Sequence, residues 1–451
     1  MLFRVINTGR ILIVFFVFFL GNQIAAEAAK NNLLCTENNI TQLTLKNGLK
    51  ILLKPTQYDK GEIFMQLISP KGYTKLCKDF FPSGVISAKV AFESGFGKYS
   101  NTELSYNLYK DSIDLFININ KFYTIIDLSF PSESLENALS LIELIFKSEE
   151  FNSKALSKII EKEKAQIVQH SLHPEKTLGS SCLVLNTQNT KAFKPLTEKT
   201  INKIDLRKSS EVFRCFFSSP EDFTAVIVGD FNFTEVESQI VNKLGSIQKR
   251  SSNITPLDLP SPTFPDGIVR KTISCEKVKD SYSIMTLPLK DKLTPRNLYV
   301  LQLVTKLLEN HLQKIVSNQT GKNYGGDVNY EFPLYPSLEQ VWFNVQFQGE
   351  KNKLKDIEKE LILELERLKI SEIGEVELFK LVVNQKNRAN FLKSNNTYWL
   401  STIANFSLWG WDVSLIEKEN NYYDEIKPAE LRQFINDNIS TTNYTMVTIQ
   451  P

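Results

Sequence analysis

Histidines are the residues of this chain best suited to bind a transition metal, and the sequence contains three of them: His170, His173 and His311. His170 and His173 lie three positions apart with no carboxylate between them, and Pro174 ends the helical pattern there. Two exposed histidines at a helix end or in a loop are expected, with a divergent metal site as the alternative. His311 stands alone in a long helical pattern, where we expect a partly exposed helix residue. The sequence therefore predicts no metal site in this chain.

Other catalytic signatures are missing from the sequence. It contains no G-x-S-x-G nucleophile turn, no G-x-x-x-x-G-K-[ST] phosphate loop and no dinucleotide fingerprint. A Ser-His or Cys-His pair stays open as an interpretation, although no motif marks one. No C-x-x-C pair occurs and the cysteine spacing does not resemble a zinc site, so we expect most of the cysteines to be buried structural thiols, with disulfide pairing left open: Cys35, Cys77, Cys182, Cys215 and Cys275.

Composition and charge are those of an ordinary globular protein. Apolar residues make up 42% and charged residues 23% of 451 residues, which is enough chain for two or more domains. The 53 basic and 51 acidic residues give a formal net charge of +2. This balance gives no electrostatic reason to expect binding to nucleic acid or to an anionic membrane.

The N-terminus has the pattern of an export signal. Arg4 and Arg10 precede an apolar run over residues 11–20, and small residues follow at 25–29. This run is about half as long as a membrane-spanning helix requires. We therefore predict a signal peptide over residues 1–28 and an exported protein, periplasmic or secreted, with a retained N-terminal anchor as the alternative. No second apolar run is long enough to span, so no stable membrane span is expected after cleavage.

The sequence pattern of the rest of the chain predicts two similar halves. Each half runs from strands to a helix, to further strands, and then to helices and a last strand. Asn47-Gly48 between apolar residues predicts a hairpin in the first half, and Thr294-Pro295 predicts the start of a long helix in the second. A segment rich in Pro, Ser and Asp over residues 251–266 predicts a linker. The expected domains are residues 29–250 and 267–451, two copies of one α+β unit.

Several segments in their order along the chain resemble the M16 (insulinase/pitrilysin) metallopeptidase family, and in particular the non-catalytic C-terminal half of its long bacterial members. The segments that carry the resemblance are Leu45-Lys46-Asn47-Gly48-Leu49-Lys50, Ser69-Pro70-Lys71-Gly72, Phe223 to Phe231, Asn242 to Ile247, Gly321-Lys322-Asn323-Tyr324 and Asn396 to Leu400. The resemblance implies two tandem M16-type α/β roll domains, each a mainly antiparallel sheet packed with helices.

The family's zinc motif has no counterpart in this sequence. Family peptidases bind zinc through H-x-x-E-H on the helix after the second strand, together with a more distant Glu. Here that helix is predicted over residues 84–93, which contain Glu93 but no histidine. The resemblance therefore implies no cofactor in this chain, a protein inactive alone, and zinc in a catalytic partner. Direct zinc proteolysis by this chain would need histidine ligands that the helix lacks.

A substrate-binding site is implied by the resemblance. Long family members supply to the active site, from their non-catalytic half, an Arg and a Tyr seven positions apart. Tyr324 falls at the Tyr position and Ser317 at the Arg position, with Gly321 and Gly325 on either side of Tyr324. A phenol hydroxyl can donate to a developing oxyanion, but a serine cannot replace a guanidinium.

Lys314 or Lys322 is the candidate substitute for the missing arginine. The alternative role for Tyr324 is a loop aromatic packed beside glycines that permit a tight turn. The tryptophans of the second half are expected in the core or in an interface: Trp399, Trp409 and Trp411.

The favoured function is a non-catalytic M16-type subunit that binds unfolded peptides and complements a zinc-bearing H-x-x-E-H partner subunit in peptide proteolysis. The alternative is a stand-alone exported peptide-binding or scaffold protein without turnover. Binding of peptide by the purified chain in the absence of zinc would favour this second function.

Overall fold

The computed structural model describes residues 34–35, 39–76, 80–149, 151–252, 254, 261–321 and 324–451. Two sheets packed with helices form the fold, as the sequence predicts. The predicted signal peptide lies outside the described residues, as do residues 253 and 255–260 of the predicted linker. Among the described residues, no helix is both long enough and apolar enough to cross a membrane.

The first sheet has seven strands in the order β1-β2-β3-β7-β4-β6-β5. Neighbouring strands are antiparallel except for β3 and β7, which run parallel. The predicted hairpin joins β2 and β3, and Gly48 takes the left-handed backbone conformation with φ of 84° that this turn requires. The strands are β1 (Leu34–Cys35), β2 (Thr41–Thr44), β3 (Lys50–Pro55), β4 (Glu62–Ser69), β5 (Asp114–Ile119), β6 (Thr124–Pro131) and β7 (Thr224–Gly229).

The second sheet has five strands in the order β10-β11-β9-β12-β8. Only β12 and β8 run parallel. Its order and its one parallel pair reproduce the arrangement of β5-β6-β4-β7-β3 in the first sheet, so the predicted repetition of one unit is visible in the topology. The strands are β8 (Ile268–Ser274), β9 (Ser281–Pro288), β10 (Gly326–Glu331), β11 (Trp342–Gly349) and β12 (Tyr444–Gln450).

Fourteen α-helices occur in the described parts of the chain. In the first half they are α1 (Phe81–Ser94), α2 (Asn101–Lys110), α3 (Leu135–Lys147), α4 (Ser153–Leu172), α5 (Pro174–Asn186), α6 (Glu198–Ile201), α7 (Leu206–Phe216) and α8 (Phe233–Lys243). In the second half they are α9 (Pro295–Thr320), α10 (Leu354–Ile370), α11 (Glu375–Leu392), α12 (Asn396–Leu408), α13 (Glu419–Glu425) and α14 (Pro428–Asn438).

Local sequence explains where the longest helix begins and ends. The Thr294 side chain accepts a hydrogen bond from the Asn297 N–H, and Pro295 fills the first turn of α9, where its missing N–H costs nothing. The helix ends at Gly321, which has φ of 65° and donates its N–H to the Ser317 carbonyl oxygen at 2.9 Å. Pro174 acts in the same way at the start of α5, so it begins a helix as well as ending α4.

Each sheet is covered on one face by helices of its own half. In the first half, α1, α3, α7 and α8 contribute to one large core. In the second half, α9, α10 and α14 contribute to another. These cores bury the apolar side of each sheet, which is the main favourable contribution to folding.

The opposite face of each sheet is covered by a helix from the other half. Trp399 and Ile403 of α12 are buried against Val226 and Leu52 of the first sheet. Leu178 and Cys182 of α5 are buried against Val447 and Ile449 of the second sheet. The two halves are therefore joined by an exchange of helices, and the burial of Trp399 agrees with its predicted core position.

Candidate functional site

A groove of about 710 Å³ lies where α5 of the first half meets the second sheet. Its floor is formed by the ends of strands β9, β10 and β11. Its rim combines the first turn of α5 with the loop over residues 277–280. The groove therefore depends on the helix exchange, since neither half alone supplies all of its walls.

Tyr324 is anchored at this groove by a hydrogen bond. Its hydroxyl donates to Oδ1 of Asp280 at 3.0 Å, and Asp280 lines the groove. Gln348 Nε2 lies 3.4 Å from the second carboxylate oxygen of Asp280. The ring packs, half-buried, against the second core. Tyr324 is thus oriented by a carboxylate, and its hydroxyl is held beside the groove.

The four predicted site residues lie in two places, Tyr324 and Gly325 at the groove and Ser317 and Gly321 at the end of α9. Gly325 lines the groove next to Tyr324. Ser317 is exposed on the last turn of α9, and Gly321 caps that helix. Neither Ser317 nor Gly321 lines the groove.

The alternative explanation for the glycine pair, a tight turn, stays a prediction, because residues 322 and 323 lie outside the described residues. Neither Gly325 nor Gly326 has a positive φ. A Cβ at Gly326 would lie 2.9 Å from the Leu312 side chain, whereas a Cβ at Gly325 would meet nothing within 4 Å. Close packing of β10 on α9 therefore requires glycine at 326, and no such requirement exists at 325.

Two lysines in the groove were not predicted. Lys277 and Lys279 lie in the loop that joins β8 to β9, and both line the groove beside Asp280. Lys314 and Lys322 are the lysines predicted to substitute for the missing arginine. Lys314 is exposed on α9, and Lys322 lies outside the described residues. The only sequence signal for the loop is its four charged residues over the segment 276–280, a pattern that is more often a solvated turn.

The histidines are dispersed in the fold. The His170 side chain lies outside what the structure describes, and His173 is exposed, with Nδ1 at 3.1 Å from Glu175. His311 differs from its expected partly exposed state because it is buried. Its Nδ1 lies 2.6 Å from Glu364 and its Nε2 lies 2.9 Å from Glu377. Each ring nitrogen is thus engaged by a carboxylate of a different helix.

Helix α1 presents apolar and paired side chains to α4. Ile86 and Val90 are buried with Ala155 and Ile159 of α4. Between them on the same side, Lys89 forms an ion pair with the buried Glu163 of α4. The side of α1 that faces α4 therefore carries Ile86, Lys89 and Val90, which have the spacing i, i+3 and i+4.

These side chains do not fit zinc. The helix face supplies no imidazole, and the two carboxylates at this contact, Glu163 of α4 and Glu93 of α1, are each paired with a lysine. Within the described residues, no group of three or more His, Cys, Asp or Glu side chains is arranged to hold a metal ion.

The cysteine side chains that the structure describes are free thiols: Cys182, Cys215 and Cys275. Cys182 of α5 is buried against the second sheet, and this burial raises the pKa of its thiol to about 12. A thiol of this kind is a poor nucleophile because the thiolate form is disfavoured.

Known proteins resemble this chain in sequence and in fold. The sequence profile described as the peptidase M16 inactive domain matches residues 209–383. A protein of Arabidopsis thaliana described as zinc protease PQQL-like is 23% identical over 304 residues, which cover 65% of this chain and 29% of the relative. The chain thus spans well under half the length of that curated relative.

Two crystal structures share the fold along nearly the whole chain. The periplasmic protease PqqL from Escherichia coli superposes with a TM-score of 0.80 at 16% identity, covering 93% of this chain and 46% of that one. The peptidase M16 inactive domain from Pseudomonas fluorescens superposes with a TM-score of 0.74 at 16% identity, covering 92% of this chain and 98% of that one. The chain therefore resembles the inactive half of M16-type proteins, in sequence over residues 209–383 and in fold along nearly its whole length, as its sequence predicts.

Proposed function

We propose that this chain is the non-catalytic subunit of a two-part M16-type peptidase. It would bind unfolded peptide in the groove at Tyr324 and pair with a subunit that carries H-x-x-E-H and the zinc ion. The observation that carries the proposal is the side of α1 that faces α4, where Ile86, Lys89 and Val90 supply no imidazole and the Glu93 carboxylate is paired with Lys158. A chain of this fold without a metal site can contribute to peptide hydrolysis only by binding and orienting the substrate.

Tyr324 is the residue of this chain that we expect to act on the peptide. Its hydroxyl donates to Asp280 in the free chain, which keeps the donor at the groove. A peptide carbonyl in the groove would accept the same hydrogen bond, and the bond would strengthen as negative charge develops on that oxygen. Lys277 and Lys279 add positive charge at the groove, where Ser317 supplies none.

Export to the periplasm is part of the proposal. It is supported by the signal-like pattern of residues 1–28 and by the periplasmic location of the PqqL protease that shares the fold. Unfolded peptides in that compartment are the substrates that such a subunit pair would meet.

The test is coexpression with a candidate H-x-x-E-H subunit from the same cell, followed by copurification and a peptidase assay. We expect a stable complex, and a peptidase rate that falls at least tenfold when Tyr324→Phe removes the hydroxyl. Tyr58→Phe is the matched control, because Tyr58 is exposed on the loop between β3 and β4, and it should leave the rate unchanged. Failure to form a complex, together with an unchanged rate for Tyr324→Phe, would refute the subunit proposal.

A second candidate function is supported by the groove itself. Its lining residues come from both halves of this chain, so a peptide bound there would have contacts on more than one wall without residues from a partner. A stand-alone peptide-binding protein without turnover would bind peptide as a monomer with zinc absent. Such binding, combined with no copurifying subunit from the native cell, would favour this function over the first.

A further inference from the structure

A second cavity, of about 560 Å³, lies in the second half of the chain between α9, α11 and β10. Its volume falls within the roughly 300–1,000 Å³ of small-molecule sites in proteins. Amides, phenols and charged groups make up most of its walls. Two of the phenols are fixed in place, because the Tyr398 hydroxyl donates to Glu419 and the Tyr423 hydroxyl donates to Gln302. The cavity is therefore suited to a small hydrophilic ligand.

Gln385 places a buried amide in the wall of this cavity. The residue lies on α11 and is only 9% exposed. Within the described residues, its side-chain amide has no hydrogen-bond partner. A buried polar group without a partner costs free energy, and nearly all such groups in native proteins are hydrogen-bonded. The position of this amide thus points to a ligand group that completes its hydrogen bonds.

Two opposite charges in the cavity also lack a counter-charge. Arg388 lies three positions after Gln385, on the same side of α11, and its guanidinium forms no ion pair and no hydrogen bond in the described part of the chain. Asp327 of β10 accepts a hydrogen bond from the Asn329 amide at 2.9 Å, but no described cation pairs with it. A ligand that carries one charge of each sign would satisfy both residues.

The remaining charged residues that line the cavity are already paired. Lys306 lies 2.7 Å from Glu309 on α9. The carboxylate of Glu419 lies 3.2 Å from the ammonium group of Lys393. These ion pairs leave no further counter-charge for a ligand, so any part of the ligand beyond its one positive and one negative group should be uncharged.

We propose that this cavity binds a free α-amino acid with an uncharged side chain. The planar fork of the Arg388 guanidinium would bind the carboxylate, with the Gln385 amide beside it, and Asp327 would bind the ammonium group. Ala389 and Leu392, further along α11, offer apolar surface for the side chain of the ligand. The inference goes beyond the subunit proposal and does not depend on it.

The first experiment titrates each proteinogenic L-amino acid into the full chain by isothermal titration calorimetry. We expect saturable binding of at least one amino acid with an uncharged side chain, with a Kd below about 1 mM. Arg388→Gln should weaken binding of that amino acid at least tenfold, because it removes the partner of the carboxylate. Lys380→Gln is the matched control, since Lys380 is exposed on the same helix and does not line the cavity, and its Kd should stay within twofold.

Gln385→Leu separates a role in binding from a role in stability. Leucine is similar in size and removes the unpartnered amide, so the midpoint of thermal unfolding without ligand should not fall. The Kd of the amino acid should nevertheless rise at least fivefold. A lower midpoint together with an unchanged Kd would make Gln385 a structural residue and overturn its assignment to the site.

Two blocked forms of the same amino acid test the assignment of charges with the unaltered protein. The N-acetyl form lacks the ammonium group and the carboxamide form lacks the carboxylate, so each should bind at least tenfold more weakly. In Arg388→Gln, the amino acid and its carboxamide should bind within threefold of each other, because the partner of the carboxylate is gone.

The inference is overturned if the wild-type chain binds no amino acid, if it binds only those with charged side chains, or if the blocked forms bind as well as the free one. None of these results affects the subunit proposal, which is decided by the partner's peptidase rate with Tyr324→Phe.

Discussion

The Tyr324 hydroxyl donates to the Asp280 carboxylate, and this bond defines what the residue can do in the free chain. A donor already bonded to a carboxylate keeps a fixed direction, and a substrate carbonyl must compete for it. His311 is also oriented by carboxylates, because each of its ring nitrogens lies within hydrogen-bond distance of one. Only the imidazolium form of a histidine ring can donate from both nitrogens. Polar side chains in this protein are thus oriented by acidic neighbours on adjacent elements.

His311 offers a test of this use of carboxylates. Replacement by leucine, in the variant His311→Leu, leaves Glu364 and Glu377 without their common partner. We expect the free energy of unfolding to fall by about 1–3 kcal/mol through the loss of two hydrogen bonds to carboxylates, although Glu364 keeps its ion pair with Arg367. Urea denaturation followed by circular dichroism measures it. The exposed His173 provides the control, since His173→Gln should change stability by no more than about 0.5 kcal/mol.

At the level of elements, close packing between β10 and α9 sets the position of the candidate site. Gly326 lies against Leu312, and this contact holds the start of β10 beside the groove. Gly325, one position earlier, has open space around it. The two adjacent glycines therefore have different physical roles.

The glycine pair makes this difference measurable. Gly326→Ala places a methyl group 2.9 Å from Leu312 and should destabilise the fold by about 1–3 kcal/mol through overpacking. Gly325→Ala should change stability by less than about 0.5 kcal/mol. Thermal unfolding of the two variants distinguishes these outcomes. Equal losses at both positions would contradict the packing argument.

The pairing of α1 with α4 shows what occupies the place of a metal site. Buried Ile86 and Val90 pack on α4, and the ion pair between Lys89 and Glu163 crosses the same contact. A buried carboxylate that loses its only cation is costly, whereas removal of both charges together can be nearly neutral.

A double-mutant cycle on this ion pair tests the interpretation. Lys89→Met should destabilise the protein by about 1–2 kcal/mol, a range that allows for the partial exposure of the lysine. Adding Glu163→Leu should recover most of the loss. Unfolding free energies of the two single variants and of the double variant give the coupling, and purely additive losses would exclude a direct interaction.

At the scale of the whole molecule, the exchange of α5 and α12 ties the two sheets together. Each sheet has one face that is covered by a helix of the other half. We propose that residues 29–250 and 267–451 are two domains of one repeated unit, joined by a linker over residues 251–266, and that neither is stable alone.

Separate fragments test this dependence. Expressed alone, residues 29–250 would expose the face that Trp399 and Ile403 cover, and residues 267–451 would expose the face that Leu178 covers. We expect each fragment to bind a hydrophobic dye and to lack cooperative unfolding, and a mixture of the two to recover a cooperative transition. Cooperative unfolding of either fragment alone would contradict the proposal.

The sequence predicts local features of this fold well and tertiary ones poorly. The Asn47-Gly48 hairpin and the Thr294 helix start were predictable, because turns and caps depend on a few neighbouring residues. Helices α5 and α7 were not predicted. The apolar residues of α5 leave only a weak periodic pattern, whereas α7 is strongly amphipathic and its periodicity is a signal that the prediction missed. In the candidate site, Tyr324 was predicted only by resemblance, and its partner Asp280 is 44 positions away.

Zinc analysis of the purified chain, with and without a coexpressed H-x-x-E-H subunit, tests the central claim most directly. The claim is that this polypeptide folds as an M16 half whose own α1 helix cannot hold the metal. We predict no stoichiometric zinc and no peptidase activity in the chain alone, and about one zinc per complex, carried by the partner. Stoichiometric zinc in the chain alone, with peptidase activity that a chelator abolishes, would contradict the account.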